Sequence, residues 1–431
     1  MYIKNIHIKN YKGIKELTLE LEPGVTLVIG NNGAGKTSML SALNVVLEGM
    51  FALSNGILRK SSSQMKLSSQ IMTQNDIHTT SVTAGDVTES MKYHVPVVIG
   101  YNVDIDGKIY SQECRIEHEG NGTNFTTYNL SDKMQELLNQ SDSALPLLNY
   151  QSIDRANLSS DIREAQLKGQ FERRQGYVNS FIGKSSIEDV QDWCLSMAFE
   201  EFQSRRTIKE YETFRKIVSR FIQKIEGMKT EPKIELSPKL RRLVYSDNQE
   251  GQLINNLSAG YQSVLCMIME LAYRTVLLNP NIDGSEDVEG VVLIDEIDMH
   301  LHPKWQWKIL DALKATFPKV QFIVATHSPM IISSAKDAKL IKMITPNEIE
   351  YLTSAYGYNI SDVVELRQGS TELPQQAKEL KKALENSIDS GNFEKAEQLV
   401  HEAIEIFGEK SSPAREMREF LDVNRWIEEA E

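Results

Sequence analysis

Hydrophobic residues follow two spacings along the chain, and their order predicts strands near the N-terminus and helices between later strands. Polar and apolar residues alternate in YIKNIHIKNY and in KELTLEL, the period-two pattern of strands with one buried face. The next run, GVTLVIG, is almost wholly apolar, as expected of a central strand buried on both faces. A helix is predicted from Lys36 to about Leu47.

The middle of the chain is less regular. Residues 52–90 are rich in Ser, Thr, Gln and Asn, which predicts loops with one short helix. Two strands around a DIDGK turn are predicted in VPVVIGYNVDIDGKIYSQECRIEH, and a buried strand end in SALPLLNYQ. Residues 160–230 are charged and mostly helical in pattern, with a well-marked helix start in SIEDVQDWCLSMAFEEF.

Helices and strands alternate again between residues 253 and 345. Helices are predicted in LSAGYQSVLCMIMELAYRTVLL and PKWQWKILDALKATF, and strands in GVVLIDEID and VQFIVATHS. Such alternation predicts a parallel sheet and an α/β fold. Residues 371–431 are helical in pattern and acidic, with 8 Lys or Arg against 15 Asp or Glu.

Composition narrows the class of protein. With 431 residues, 41% hydrophobic and 25% charged, the chain is expected to be globular with two or three domains. It has neither the pattern of a signal peptide nor an apolar run near 18 residues, so we expect a soluble cytoplasmic protein without membrane contact. The net charge of −13 argues against a surface that is basic throughout. Residues 205–242, however, hold 12 Lys or Arg against 5 Asp or Glu, which fits either a nucleic-acid contact or a solvated helix face.

The stretch GNNGAGKT, from Gly30 to Thr37, matches the phosphate-binding pattern G-x-x-x-x-G-K-[ST] between a predicted strand and a predicted helix. Its backbone N–H groups and the following helix N-terminus would surround phosphate oxygens. We expect Lys36 to bridge the β- and γ-phosphates of ATP and Thr37 to bind Mg²⁺. The predicted ATP-binding residues of this loop are Gly30, Asn31, Asn32, Gly33, Ala34, Gly35, Lys36, Thr37 and Ser38.

Two acidic residues end the apolar strand VVLI. Asp295 is placed to hold Mg²⁺ through water, and Glu296 is placed to act as the general base that activates water. An acidic pair at the end of a buried strand is costly without a nearby cation. The alternative is an acidic turn without a catalytic role.

NLSAGYQSVL resembles the ABC-ATPase signature LSGGQ. Ser258 and Gly260 are kept, Ala259 replaces the middle glycine, and Tyr261 intervenes before the glutamine. The resemblance implies that Ser258 and Gly260, at a helix N-terminus, contact the γ-phosphate of ATP bound to an opposing protomer. The alternative is an ordinary helix N-cap.

Two further residues follow predicted buried strands. His327, after VQFIVAT, is expected to sense the γ-phosphate and act in catalysis, whereas Gln151, after LPLLNY, is expected to reach Mg²⁺ and water. Arg155 fits a phosphate contact, a lid salt bridge or a structural role equally well. In Asp104 and Asp106 of DIDG we favour a hairpin turn over a nuclease site, and no nuclease site is expected in the chain itself.

In order and spacing these motifs resemble an ABC-type ATPase of the RecF/SMC/OLD-like branch. Leu257 follows Thr37 by 220 residues, an intermediate gap that fits a compact helical lid. IKNIHIKNYKGIKELTLEL, IDEIDMHLHPKWQ and FIVATHSPMIISSA, together with the tail, are most similar to PtuA-type ATPases of Septu and retron defence systems.

The resemblance implies a P-loop ABC-ATPase head with a mostly parallel sheet, an antiparallel β subdomain, a helical lid insertion and a helical C-terminal tail. We assign residues 1–155 to a first ATPase lobe, 156–250 to the lid, 251–355 to a second lobe and 356–431 to a partner-docking region. A homodimer with two shared ATP sites is expected. It would control an HNH nuclease of PtuB type, and in retrons also work with a reverse transcriptase and its RNA–DNA product. The alternatives are a RecF-like DNA-binding ATPase of DNA repair, which would use residues 205–242, and a transporter motor, which the gap disfavours.

Overall fold

The computed structural model describes residues 1–52, 71–84, 87–156, 166–167, 171–237, 239–247, 251–368, 375–409 and 411–430. The strands, numbered in chain order, are β1 (Tyr2–Tyr11), β2 (Ile14–Glu20), β3 (Val25–Gly30), β4 (Thr79–Ala84), β5 (Val87–Tyr93), β6 (Val97–Ile105), β7 (Lys108–Ile116), β8 (Asn124–Phe125), β9 (Leu147–Gln151), β10 (Lys233–Ser237), β11 (Arg242–Ser246), β12 (Gln252–Leu253), β13 (Gly290–Ile294), β14 (Val320–Ala325), β15 (Lys339–Thr345) and β16 (Glu348–Leu352). The α-helices are α1 (Lys36–Gly49), α2 (Asn129–Asn139), α3 (Ile187–Ser204), α4 (Lys209–Glu226), α5 (Ala259–Leu278), α6 (Pro303–Gln306), α7 (Ile309–Thr316), α8 (Pro329–Ser334), α9 (Ile360–Asp362), α10 (Gln375–Asp389), α11 (Phe393–Phe407) and α12 (Ser412–Ala430).

A six-stranded sheet in the order β16-β15-β3-β14-β13-β9 forms the centre of residues 1–363. Its strands are parallel except for β16, which pairs antiparallel with β15. Every residue of β3, β13 and β14 is buried, because both faces of the sheet are covered. The predicted buried strands and their mostly parallel sheet are confirmed.

The side chains of the central strands divide between two hydrophobic cores. Leu27 and Ile29 point into what we call the helical-side core, which is shared with α3, α4, α5 and α7. Val28, between them, points into the strand-side core, shared with α1 and the strands β1 and β6. Alternation of period two therefore directs neighbouring residues of one strand to opposite cores.

The antiparallel subdomain is a five-stranded sheet in the order β2-β1-β6-β7-β8. Helix α1 contacts both this sheet and the central one, and so lies between them. The turn between β6 and β7 places Asp106 at φ 55° and Gly107 at φ 78°, and the Gly107 N–H donates to the Asp104 carboxylate at 2.9 Å. Positive φ at two successive residues is typical of a tight hairpin turn. Asp104 and Asp106 therefore form the predicted turn.

Three details differ from the sequence-based expectation. Where loops were expected up to residue 90, β4 and β5 form a hairpin, while residues 53–70 and 85–86 lie outside the described residues. The expected helical lid, 156–250, contains α3 and α4 but also the hairpin of β10 and β11. The expected single helix over PKWQWKILDALKATF is two helices, because Lys308 leaves the helical conformation at φ −122° and ψ −14°.

Residues 364–431 form a second compact unit with a hydrophobic core of its own. Leu384 of α10, Val400 of α11 and Met417 of α12 are among the residues buried in it. This unit begins later than the expected boundary at 356, since Ala355 and Val363 are buried in the helical-side core of the first unit. Among the helices within the described ranges, none is both long and apolar enough to cross a membrane.

Candidate nucleotide-binding site

The phosphate-binding pattern forms the loop between β3 and α1, where two of its glycines are required. At Gly30, with φ 148°, an added Cβ atom would lie 2.5 Å from the Met343 carbonyl oxygen. Gly35 precedes α1 at φ 99°, a conformation that residues with side chains rarely adopt. The N-cap residue Gly35 has no side chain, and among the described residues no side chain accepts from the first N–H groups of α1. Free N–H groups at a helix N-terminus bind anions well.

Lys36 is buried at the start of α1, and its Nζ atom donates to the carbonyl oxygens of Gly30 at 2.8 Å and Asn31 at 3.1 Å. Burial lowers the pKa of the Lys36 ammonium, while the carboxylates of Asp295, Glu296 and Asp298 raise it in part. The lysine of the loop thus faces the acidic residues that end β13.

Asp295 is fully buried directly after β13, and its backbone N–H donates to the carbonyl oxygen of Gln151 at 2.8 Å. Burial raises the pKa of the Asp295 carboxyl group, which Thr37, Arg155 and Lys36 partly offset. The Thr37 hydroxyl lies close enough to the carboxylate to lower its pKa. Within the described residues, however, neither carboxylate oxygen of Asp295 has a hydrogen-bond partner.

Gln151 ends β9 beside Asp295 and is also buried, at 2% exposure. Its amide oxygen and nitrogen have no hydrogen-bond partner among the described residues. Buried polar atoms are almost always paired in native proteins, so this group of unpaired oxygens requires an explanation. Carboxylate, amide and hydroxyl oxygens are the ligands that Mg²⁺ prefers. The residues present therefore fit a magnesium ion held near Asp295, Gln151 and Thr37.

Arg155 is buried behind the end of β13. It lies in a 3₁₀ helix, Ile153–Ala156, and donates to the backbone carbonyls of Asp295 and of Glu296, the latter at 2.7 Å. Burial lowers the pKa of its guanidinium to about 10, which the carboxylate of Asp295 opposes. Of the three roles left open by the sequence, these contacts correspond to the structural one.

Glu296 and His327 are half-buried beside Lys36 at the carboxyl edge of the sheet. Glu296 has a φ of 43°, uncommon for a residue other than glycine and typical of functional sites. Burial lowers the pKa of the His327 imidazole, as does the Lys36 cation, while the nearby carboxylates, Asp298 first, raise it. The imidazole is therefore mostly neutral at pH 7.

The side chain of Asp298 connects the segments that follow β13 and β14. Asp298 accepts hydrogen bonds from the Thr326 hydroxyl at 2.5 Å and from the His327 N–H at 3.3 Å. Sequence reasoning gave no role to Thr326, whose only signal was a polar residue at the end of a buried strand. Residues after β3, β9, β13 and β14 thus meet at the edge where α/β proteins bind their ligands.

The signature segment is arranged differently. Ser258 is the exposed N-cap of α5 and accepts from the Tyr261 N–H at 3.5 Å. An added Cβ at Gly260 would lie 2.3 Å from the His300 carbonyl oxygen, so this glycine allows a close backbone approach. In the part of the chain that the structure describes, no hydrogen bond joins Ser258 or Gly260 to residues 30–38. The buried apolar side chains of α1 belong to the strand-side core, and most of those of α5 belong to the helical-side core.

The basic stretch 205–242 is partly neutralised within the chain. Ion pairs join Lys209 to Asp283, Arg215 to Glu201, Lys216 to Glu212 and Arg220 to Glu286. Arg206, Lys239 and Arg241 are exposed and have no ion pair to another described residue. Cations at both ends of the stretch are thus available to a partner.

The N-terminal domain of RecF, RecN and SMC proteins matches residues 2–350, most of the chain. The chain belongs to the RecF/RecN/SMC family. This membership confirms the expected RecF/SMC-like head. The protein shares its general fold with an SMC head crystallised with the C-terminal winged-helix domain of ScpA. The two chains are 16% identical in sequence, with a TM-score of 0.50. The match covers 82% of this chain and 98% of the SMC head chain.

Two relatives of this RecF/RecN/SMC chain extend over most of its length. The Retron Vc95 probable ATPase of Vibrio cholerae serotype O1 biovar El Tor is 26% identical over 424 residues, covering 85% of this chain and 79% of the relative. The Septu protein PtuA of Bacillus thuringiensis is 22% identical over 438 residues, covering 97% of this chain and 96% of the relative. The similarity to PtuA thus includes the second unit.

Proposed function

We propose that the protein binds ATP with Mg²⁺ through residues 30–38 and hydrolyses it to ADP and phosphate. The observation that carries this proposal is the group of unpaired buried oxygens on Asp295 and Gln151 beside Lys36 and Thr37. A buried carboxylate without a partner is costly, and a bound cation would remove that cost. The family and fold give independent support.

Each residue has a distinct part in the proposed reaction. Lys36 and the N–H groups at the start of α1 bind the phosphates, while Thr37, Asp295 and Gln151 hold Mg²⁺, which would neutralise phosphate charge. Glu296 accepts a proton from the attacking water. At the same time the water oxygen bonds to the γ-phosphorus, and the bond between the γ-phosphorus and the leaving oxygen of ADP breaks. His327, mostly neutral, offers a hydrogen bond to the γ-phosphate.

The proposed active form is a dimer with two shared sites. Ser258 and Gly260 lie at a helix N-terminus that begins exposed, and they make no hydrogen bond to residues 30–38 of the same described chain. A second copy that presents this helix start to bound ATP would complete each site. Binding of ATP would then favour the dimer, and hydrolysis of ATP would allow the two copies to separate.

The biological role we propose is regulation of an antiphage defence complex. The retron and Septu names of the two long relatives support this role. The controlled effector would be an HNH nuclease of PtuB type, with a reverse transcriptase and its RNA–DNA product as further partners if the system is a retron. Residues 364–431, which have their own core, are the proposed docking region.

A Glu296→Gln variant tests the ATPase proposal. It should bind ATP with parental affinity, hydrolyse it about a hundredfold or more slowly, as expected for loss of a general base, and remain dimeric with ATP in light scattering. Glu350→Gln, on the exposed face of β16, is the control. Parental hydrolysis by the Glu296 variant would contradict the assigned base.

The docking proposal is tested by co-purification. A chain that ends at residue 363 should retain ATPase activity but lose a co-expressed HNH nuclease. Retention of the nuclease by the shortened chain would move the docking region elsewhere.

The second candidate is a RecF-like ATPase that closes on DNA during repair. The exposed cations Arg206, Lys239 and Arg241 favour it. The test is binding to duplex DNA that needs ATP, weakens with salt and is lost on neutralising these three residues. ATP-independent or absent DNA binding would leave the defence role as the better proposal.

A further inference from the structure

Three segments that are distant in sequence meet at the side chain of Glu226, the last residue of α4. The hydroxyl of Tyr261 and the indole N–H of Trp305 both donate to Glu226 Oε1, the second at 3.0 Å. Lys304 Nζ lies 3.3 Å from Oε2. The Glu226 side chain is only 11% exposed, so the two aromatic donors satisfy an acceptor that is largely removed from water.

Aromatic contacts reinforce the same junction. The rings of Tyr261 and Trp305 are 4.3 Å apart between centroids with an angle of 63°, and Tyr245 lies 5.9 Å from Tyr261 on another side. Edge-to-face ring pairs of this kind add stability beyond simple burial. Trp305 itself is 3% exposed. Tyr261 is therefore held both through its hydroxyl and through its ring.

The position of Tyr261 gives this junction its meaning. It is the residue that intervenes between Gly260 and Gln262, and so it lies in the first turn of α5 beside Ser258 and Gly260. Gly260 in turn abuts the backbone of His300, four residues beyond Glu296. The N-terminal turn of α5 is thus clamped between the end of α4 and the segment that joins β13 to α6.

We propose that Glu226 is a positioning residue that fixes the first turn of α5, through Tyr261 and Trp305, in the orientation needed to act on ATP of a second copy of this chain. The inference rests on the proposed shared site. It adds that the orientation of Ser258 and Gly260 is set by a carboxylate from the helical insertion and not by α5 alone.

Tyr261→Phe keeps the ring and removes the hydroxyl, while Glu226→Gln keeps an acceptor oxygen and removes the charge. We expect Tyr261→Phe to lower the hydrolysis rate at saturating ATP about tenfold, the loss of roughly one hydrogen bond to a charged group. Glu226→Gln should lower the hydrolysis rate less. In both variants the affinity of the monomeric chain for ATP should equal that of the parental chain. Glu201→Gln, which disrupts the pair with Arg215 between α3 and α4, is the matched control.

Two further measurements separate positioning from general damage. Amide hydrogen exchange of residues 257–263 should accelerate in both variants without any nucleotide, while exchange in β13 stays parental. In mixtures of Tyr261→Phe and Glu296→Gln chains, hydrolysis should exceed the mean of the two separate rates. A mixed dimer contains one site with an intact base and an intact signature turn.

The two proposals fail in different ways. Absence of hydrolysis and of ATP binding in the parental chain would contradict the proposed function. Parental hydrolysis together with parental exchange in Tyr261→Phe would overturn the role of Glu226. Mixtures that hydrolyse only at the mean rate would instead contradict the shared site of the proposed function.

Discussion

Arg155 donates a hydrogen bond of 2.7 Å to the backbone carbonyl of Glu296, the proposed base. The same guanidinium also holds the carbonyl of Asp295, so both acidic residues are fixed from behind by one cation. Glu296 adopts its uncommon φ of 43° at this point. The geometry of the acidic pair therefore depends on a residue that precedes it in sequence by more than one hundred positions.

Replacing Arg155 with alanine should impair both stability and catalysis. The carbonyls of Asp295 and Glu296 would lose their donor, which we expect to lower the free energy of unfolding by about 1–3 kcal/mol. Denaturant unfolding and hydrolysis rates at saturating ATP measure the two effects. Arg220→Ala, which removes an exposed pair with Glu286, is the control and should change stability by about 0.5 kcal/mol or less. Equal effects of the two substitutions would contradict the proposal that Arg155 fixes Asp295 and Glu296.

Replacing Lys36 with methionine should separate ATP binding from folding. The ammonium is buried and its pKa is lowered, so the uncharged side chain should leave the free energy of unfolding unchanged or raise it. Affinity for ATP, measured by calorimetry, should fall by about tenfold to a hundredfold with the loss of a charged hydrogen bond. Lys319→Met, at an exposed pair with Asp287, is the control. A Lys36 variant with parental affinity would refute the phosphate contact.

Replacing Asp295 with asparagine should stabilise the chain without Mg²⁺ and reduce the stabilisation that Mg²⁺ and ATP provide. Burial raises the pKa of Asp295, so the ionised carboxylate lowers the free energy of unfolding at every pH above the raised pKa. This destabilisation is relieved as the pH falls from the raised pKa towards the ordinary value. Without Mg²⁺ at pH 7.5, asparagine should stabilise the chain by about 1–3 kcal/mol. Addition of Mg²⁺ and ATP should stabilise the parental chain more than the variant. The melting temperatures of both proteins, with and without Mg²⁺, give the comparison, and equal gains would argue against Asp295 as a ligand.

The stability of the parental chain should fall on acidification in a way that depends on His327. Its pKa in the folded protein lies below the ordinary value of 6.5, so folding releases a proton between the two values. The contribution is favourable above pH 6.5 and is lost as the pH falls through that range. His327→Gln should therefore show a shallower loss of stability in denaturant titrations between pH 7.5 and 5. The same substitution at the exposed His401 is the control. Identical pH profiles for the parental chain and His327→Gln would contradict this expectation.

Local sequence was sufficient wherever local chemistry determines structure. The buried strands β3, β13 and β14 are continuous apolar runs, and the loop from Gly30 to Thr37 requires its glycines for backbone reasons alone. Asp295 and His327 follow such strands directly, so their meeting at one edge follows from a parallel sheet. These parts of the fold and of the candidate site were therefore predictable.

Contacts between distant segments were not predictable from local pattern. Arg155 reaches Glu296 across 141 positions and Glu226 reaches Trp305 across 79, and neither distance leaves a periodic signal. The hairpin of β10 and β11 was missed. The period-two alternation of β10 is itself a strand signal, but it extends over only five residues and directly follows a long charged helical stretch. The helix break at Lys308 was also missed. Trp305, which precedes the break, donates to Glu226 of another helix, and such a contact cannot be read from the local sequence.

The second unit, residues 364–431, buries Leu384, Val400 and Met417 against one another and not within the cores of residues 1–363. Substitutions in this core therefore leave the packing around Leu27 and Val28 unchanged. Natural selection can therefore change the two units at different rates. Comparison of substitution rates in the two units across close orthologues would reveal such uneven evolution.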